Sequence, residues 1–220
     1  NMSHEIRKPI TIIKGFTEQI LPKTDGEIHS ALCKIEQNTT HLQSIINDIL
    51  DTAKIDEGKM TIADQYIDII PLLESIYESI VMLASSKMLI TESEIDIGEI
   101  RYVMTDPYRL KQILLNFISN AVNFTHQGKI KLVANINQSN QLYIAIIDEG
   151  IGISQEQASN LFQAFTQADS STSRDFGGTG LGLFISKQLA NAMSITLDMQ
   201  SEPGVGSCFS VTIPENKVTN

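Results

Sequence analysis

Tryptophan is missing from this chain, and cysteine occurs only twice, at Cys33 and Cys208. Two thiols so far apart, in segments of different pattern, are no disulfide scaffold; they read as free thiols of a reducing compartment. Long apolar runs are lacking too. None reaches about 18 residues, so no membrane-spanning helix is expected here, and no signal peptide is recognised. Basic residues are scarce: Lys and Arg total 16 against 26 Asp and Glu, a formal net charge of −10. Such a surface repels phosphate backbones and argues against a nucleic-acid partner. An acidic protein binds ATP only through a local site, usually with a metal. The chain has 220 residues, 42% of them hydrophobic, enough for one or two packed domains. It starts inside a helical pattern and reads as a cytoplasmic fragment of something longer. This fragment makes no membrane contact of its own, though an anchor upstream is compatible with it.

Two segments carry a heptad. Met2, Ile6, Pro9, Ile13, Phe16 and Ile20 are spaced alternately four and three apart. Ile28, Leu32, Ile35, Thr39, Leu42, Ile46, Ile49 and Ala53 repeat the pattern after a break at Pro22 to Gly26. Two such helices form an antiparallel hairpin with a narrow seam. A lone hairpin buries little, so two copies are expected to pair as a homodimeric four-helix bundle. Gly58 ends the second helix. The expected boundary gives 1–62 to dimerisation and 63–220 to a second, α+β domain. There a strand is predicted at 61–69, a helix from Pro71 to about Ser86, and strands near 90–97 and 101–104. Asp106-Pro107 marks a helix start, running to about Phe124. A hairpin is predicted over 128–136 and 142–148, a mobile polar loop over 166–178, a helix from about Leu181 to Met193, and strands near 195–200 and 207–213.

His4 lies two residues from both Met2 and Ile6, so it is expected to face away from the seam. An exposed imidazole, with a pKa of about 6.5, is largely neutral at neutral pH and can act as a nucleophile. Glu5 beside it can orient the ring and take its proton. Pro9 cannot donate to the carbonyl of Glu5, which should loosen the helix there.

On the helix opening at Asp106, residues Arg109, Gln112, Asn116, Asn120 and Asn123 share one stripe at about 100° per residue. Asparagine is a mediocre helix former, so three in register need a reason. Amide oxygens ligate Mg2+, and amide nitrogens contact phosphate oxygens. Asp148 closes an apolar strand, where a carboxylate can accept from the exocyclic amine of adenine. Gly150 and Gly152 permit a tight turn beside it. The run from Gly177 to Gly182 precedes a helix and can cradle phosphates on backbone amides. It lacks the Lys of a P-loop.

Taken in order, these motifs resemble a bacterial-type sensor histidine kinase across Met2 to about Pro214. Ser3 to Pro9 resembles the H box, and Asn116…Asn120-Ala121…Asn123 the N box. Asp148-Glu149-Gly150-Ile151-Gly152 resembles the first glycine box, and Phe162…Phe165-Thr166-Gln167-Ala168-Asp169 the F box, in a wording most like hybrid kinases. Gly178-Thr179-Gly180-Leu181-Gly182 resembles the second glycine box. The resemblance implies a dimeric helical bundle followed by a two-layer α+β sandwich of the Bergerat ATPase type. It implies His4 as phosphoacceptor and Glu5 as its base, Asn120 on Mg2+ with Asn116 assisting, and Asp148 on adenine. Asn123, Gly150, Gly152, Arg174, Gly178, Thr179, Gly180, Leu181 and Gly182 would complete the ATP site. The reaction implied is transfer from Mg–ATP to His4, then to an aspartate of a response-regulator receiver domain.

Two departures matter. The family often has Lys where Asn123 stands; its loss is expected either to weaken ATP binding or to shift the phosphate contact to Arg174 or Arg109. It usually has Thr or Asn four residues after the acceptor, and here Lys8 stands. Weak phosphatase activity is therefore expected, and a gain in regulator dephosphorylation by Lys8→Thr would check it. A sister ATPase of the gyrase type needs a Glu base where Asn116 sits, and an amide takes no proton. A non-catalytic ATP-sensing module is the other alternative; it would bind ATP without labelling His4.

Overall fold

The computed structural model describes residues 2–163 and 180–219, with the side chains of residues 2–7, 41 and 56 outside that description. The chain divides into two compact units, Asn1–Met60 and Thr61–Asn220.

The first unit is two helices. Helix α1 spans Met2–Ile20 and continues through Pro9. A short 3-10 turn, Leu21–Lys23, follows, and helix α2 spans Gly26–Asp56 with Asp25 as its N-cap residue. Thr24 Oγ1 and the His29 ring both bond the Leu21 carbonyl, so the break is held by side chains as well as by Pro22. Among the described residues of this unit, Ile10, Thr17, Thr39 and Asp51 are buried. The hydroxyls of Thr17 and Thr39 turn back to the carbonyls of Ile13 and Ile35, which satisfies them internally. Much of the expected seam is left uncovered. Ile28, Ile35, Leu42 and Ile49 are 64%, 46%, 47% and 52% exposed, seven residues apart along one line of α2.

The second unit is a sheet with helices on one face. Strand β1 (Gln65–Asp68) leads into α3 (Ile69–Ser85). The expected long strand over 61–69 is cut short and the helix starts before Pro71. The cause is Asp68, whose side chain caps the Ile70 amide at 3.1 Å. Pro71 then falls in the first turn, where its missing N–H costs nothing. Strands β2 (Ile90–Asp96) and β3 (Tyr102–Thr105) precede α4 (Pro107–Phe124). Next come β4 (Lys129–Ile136), β5 (Leu142–Asp148), the short α5 (Gln155–Asn160), α6 (Gly182–Ala192), β6 (Thr196–Glu202) and β7 (Gly206–Ile213). A 3-10 turn, Glu215–Lys217, and β8 (Val218–Thr219) complete it.

The main sheet has the order β2-β4-β5-β7-β6. Only β2 against β4 is parallel among its pairs. A second sheet, β1-β3-β8, is antiparallel. Along β5, Leu142, Ile144 and Ile146 face the helices and are fully buried, as are Leu132 of β4 and Val211 of β7. They meet Leu73, Ile76 and Ile80 of α3 and Ile113, Leu114 and Phe117 of α4 in the core. Phe117 and Phe209 stack at 5.4 Å between ring centroids, tilted by 31°. Both ends of α4 are tied. At its start, Asp106 Oδ1 accepts from Tyr108 and Arg109 and Oδ2 from Ala63; at its end, Lys87 Nζ donates to the carbonyls of Val122 and Asn123.

Candidate functional site

The period of two that buries Leu142, Ile144 and Ile146 carries Asp148 to the helix-covered side at the end of the central strand. Its neighbours across the sheet are Ile130 and Ser207. Asp148 is only 6% exposed. Burial pushes its carboxyl above the usual range, opposed by the backbone N–H groups of Gly150 and Ser207. Oδ1 takes the Gly150 amide at 2.9 Å. A buried carboxylate so held is oriented, and it is the chemistry that an exocyclic amine needs opposite it.

The turn after Asp148 lies against the end of α4. The Ile151 amide donates to the Phe124 carbonyl at 3.2 Å. A Cβ on Gly150 would stand 2.6 Å from that carbonyl oxygen, so no larger residue fits. Gly152 has φ +69, and a side chain there would collide with the Glu202 carbonyl. Thr125, the C-cap residue of α4, is wholly buried, and its hydroxyl has no hydrogen-bond partner among the described residues. A polar atom left in that state next to the glycine turn fits a site built for a polar ligand or an ordered water.

The asparagine stripe of α4 is divided in use. Asn116 Nδ2 donates to the Gly182 carbonyl at 3.0 Å and to Ser186 Oγ at 3.1 Å, both on α6. Asn120 and Asn123 are half-buried and make no side-chain hydrogen bond among the described residues. Arg109 is drawn along the same helix, its Nη1 donating to Gln112 Oε1 at 2.8 Å, with its guanidinium over the Tyr108 ring. Gly180 and Gly182 flank Leu181, which is 2% exposed and so offers a ligand only its backbone. Lys187 on α6 stands over the Phe162 ring at 5.8 Å, joining α6 to the segment after α5.

The backbone of His4 and Glu5 is helical in α1, but their side chains lie outside the described residues. Arg174, Gly178, Thr179, the predicted mobile loop and most of the F-box wording also lie outside them. Within the second unit the chain brings together Asn116, Gly180, Leu181 and Gly182 where α4 meets α6. Asp148, Gly150 and Gly152 gather at the C-terminal end of α4, where Ile151 bonds Phe124. Sequence reasoning missed Ser186, the Ser207 amide and the Thr125 hydroxyl. Ser186 left a signal: a serine inside the apolar face formed by Leu181, Ile185 and Leu189. The Ser207 amide left none, because its role depends on strand pairing.

Known protein families match segments of both units. Residues 1–58 match the His Kinase A (phospho-acceptor) domain. Residues 105–217 match the histidine kinase-, DNA gyrase B- and HSP90-like ATPase family. The sensor histidine kinase GacS of Pseudomonas protegens is 40% identical over 99% of this chain and 24% of that protein. The signal transduction histidine-protein kinase BarA of Escherichia coli K12 is 39% identical over 95% of this chain and 23% of its own length. The chain thus spans about a quarter of these relatives. Among solved structures, full-length ShkA in complex with AMPPNP superposes with a TM-score of 0.78 at 29% identity, covering 97% of this chain and 44% of that one.

Proposed function

The chain belongs to the sensor histidine kinases of two-component systems, and on that premise we propose that it transfers a phosphoryl group from Mg–ATP to His4, and from there to an aspartate of a response-regulator receiver domain. The observation that carries the nucleotide half is the buried, doubly bonded Asp148 at the end of β5, under the end of a helix whose Asn120 and Asn123 carboxamides make no hydrogen bond among the described residues. Adenine fits against Asp148, which accepts from its exocyclic amine. The phosphates fit towards the Asn stripe and the Gly180–Gly182 turn. Asn120, with Asn116, would hold Mg2+. The metal would neutralise the oxygens of the transferring group; the protein's part is positioning.

In the transfer step a neutral His4 ring nitrogen forms the N–P bond as the bond from phosphorus to the ADP oxygen breaks. Glu5 takes the proton from the other ring nitrogen. Asn116 takes no part as a base: an amide accepts no proton, and its nitrogen is already donating to α6. That speaks against a water-activating ATPase reading.

The test is incubation with Mg2+ and γ-labelled ATP, wild type against His4→Gln, with the N-terminal helix extended upstream so that the first turn does not fray. An acid-labile, base-stable label absent from the variant is the expected result. ATP binding without any label would replace the kinase reading with that of an ATP-sensing module.

A further inference from the structure

Asn116 sits where α4 meets the start of α6, and the chemistry of its neighbours decides which way its carboxamide faces. The Gly182 carbonyl can only accept, so the atom towards it is the amide nitrogen. Ser186 Oγ takes a hydrogen from the same nitrogen at 3.1 Å. With Nδ2 turned to α6, the planar group directs Oδ1 away from those two acceptors. A Cβ on Gly182 would stand 3.5 Å from Cγ, Nδ2 and Oδ1 alike, so the amide lies flat against the first turn of α6. The oxygen is the atom of a carboxamide that ligates a hard cation. Two contacts from α6 thus hold the rotation of the carboxamide and with it the oxygen.

Ser186 is the part of this arrangement that the phosphoryl-transfer reading does not use. It is wholly buried, in the middle of α6, between Ile185 and Leu189 of the core. A serine at such a depth needs a partner, and its oxygen finds one 70 residues away in sequence. Removing that oxygen leaves one Asn116 N–H without an acceptor beside a dry core. The carboxamide then loses one of the two contacts that hold its rotation.

We infer that Ser186 is a positioning residue of the nucleotide site: with the Gly182 carbonyl it locks the Asn116 carboxamide so that Oδ1 faces the metal-bound phosphates. The inference rests on the nucleotide reading above. It makes α6, and not α4 alone, responsible for metal affinity.

The test uses the full chain, with calorimetric titration of ADP in EDTA and then at increasing Mg2+. Ser186→Ala is expected to bind metal-free ADP within about twofold of wild type. It should need about threefold to tenfold more Mg2+ for half-maximal enhancement, the worth of one neutral hydrogen bond. Ser186→Thr keeps the hydroxyl and should restore the wild-type Mg2+ dependence; melting curves of both variants report any packing cost separately. An equal loss with and without metal would reduce Ser186 to a packing role. An unchanged Mg2+ dependence, or Ser186→Thr behaving like Ser186→Ala, overturns the inference outright. These outcomes are separable from the kinase test. Mg2+-enhanced ADP binding without His4 labelling fails the kinase reading and leaves Ser186 intact, whereas wild-type binding indifferent to Mg2+ fails the inference itself.

Discussion

Asp148 is a buried carboxylate that the fold holds at a cost to its own stability. Its folded-state pKa is raised by burial. Between its unfolded and folded values the folded chain holds more protons than the unfolded one, so stability falls as pH rises through that window. Above the folded value the cost is fully present. Asp148→Asn removes the charge while its oxygen can still accept from Gly150. We expect the variant to melt no lower than wild type at pH 7.5, with any gain shrinking as pH drops towards 4. Nucleotide affinity should fall by about tenfold or more, since a buried polar contact to the base is lost. A variant that melts lower at pH 7.5 yet keeps its affinity would contradict both halves; thermal melts and ADP titration suffice to decide.

Among the elements, the C-terminal 3-10 turn binds regions distant in sequence. Lys217 is 8% exposed, and its Nζ donates to Asp64 Oδ2 at 2.9 Å and to the Met193 carbonyl at 2.8 Å. It thus closes the end of α6 and holds the segment leading into β1. Lys217→Met should cost about 1.5–3 kcal/mol, the usual worth of hydrogen bonds to a charged group; urea unfolding of residues 61–220 would show it, and a loss under about 0.5 kcal/mol would deny the tie. Nothing in the sequence announced this lysine, because its partners lie 153 and 24 residues away. Elements with local signals were legible. Asp106-Pro107 gave the start of α4 because capping is chemistry between adjacent residues. The unbroken apolar run over 142–147 gave β5, with Asp148 closing it. Helix α5 was missed although Ser154 and Gln157 form a capping box, a four-residue signature. The pairing of β8 with β3 involves two residues and had no pattern to read. The asparagine stripe was legible as a stripe; that Asn116 is spent on α6 was not, since Ser186 and Gly182 reach it only through tertiary packing.

At the scale of the whole molecule, the exposed line of Ile28, Ile35, Leu42 and Ile49 on α2 asks for a cover. Apolar side chains repeated every seven residues fit a second copy of the same helix pair. Light scattering should report about twice the chain mass of 24.3 kDa at micromolar concentration. Ile35→Lys with Leu42→Lys should return it to one chain and leave ADP binding intact, since the second unit is compact by itself. A wild type that stays monomeric at every concentration would refute the pairing. The border strand β2 has a different consequence. It pairs only with β4 in the main sheet and carries exposed Glu94 and Asp96 with half-exposed Glu92. Lys131 bonds Glu94 and holds its carboxyl below the usual range, so that residue keeps its charge further into acid than an unpaired glutamate would. Charges on an open strand keep sheets of neighbouring molecules from stacking edge to edge. Near the sequence pI of about 4.8 the molecule as a whole loses its net repulsion. Handling and concentration at mildly acidic pH then depend on one strand's remaining carboxylates, and turbidity in that range should rise first in a chain where Glu94 has been made neutral.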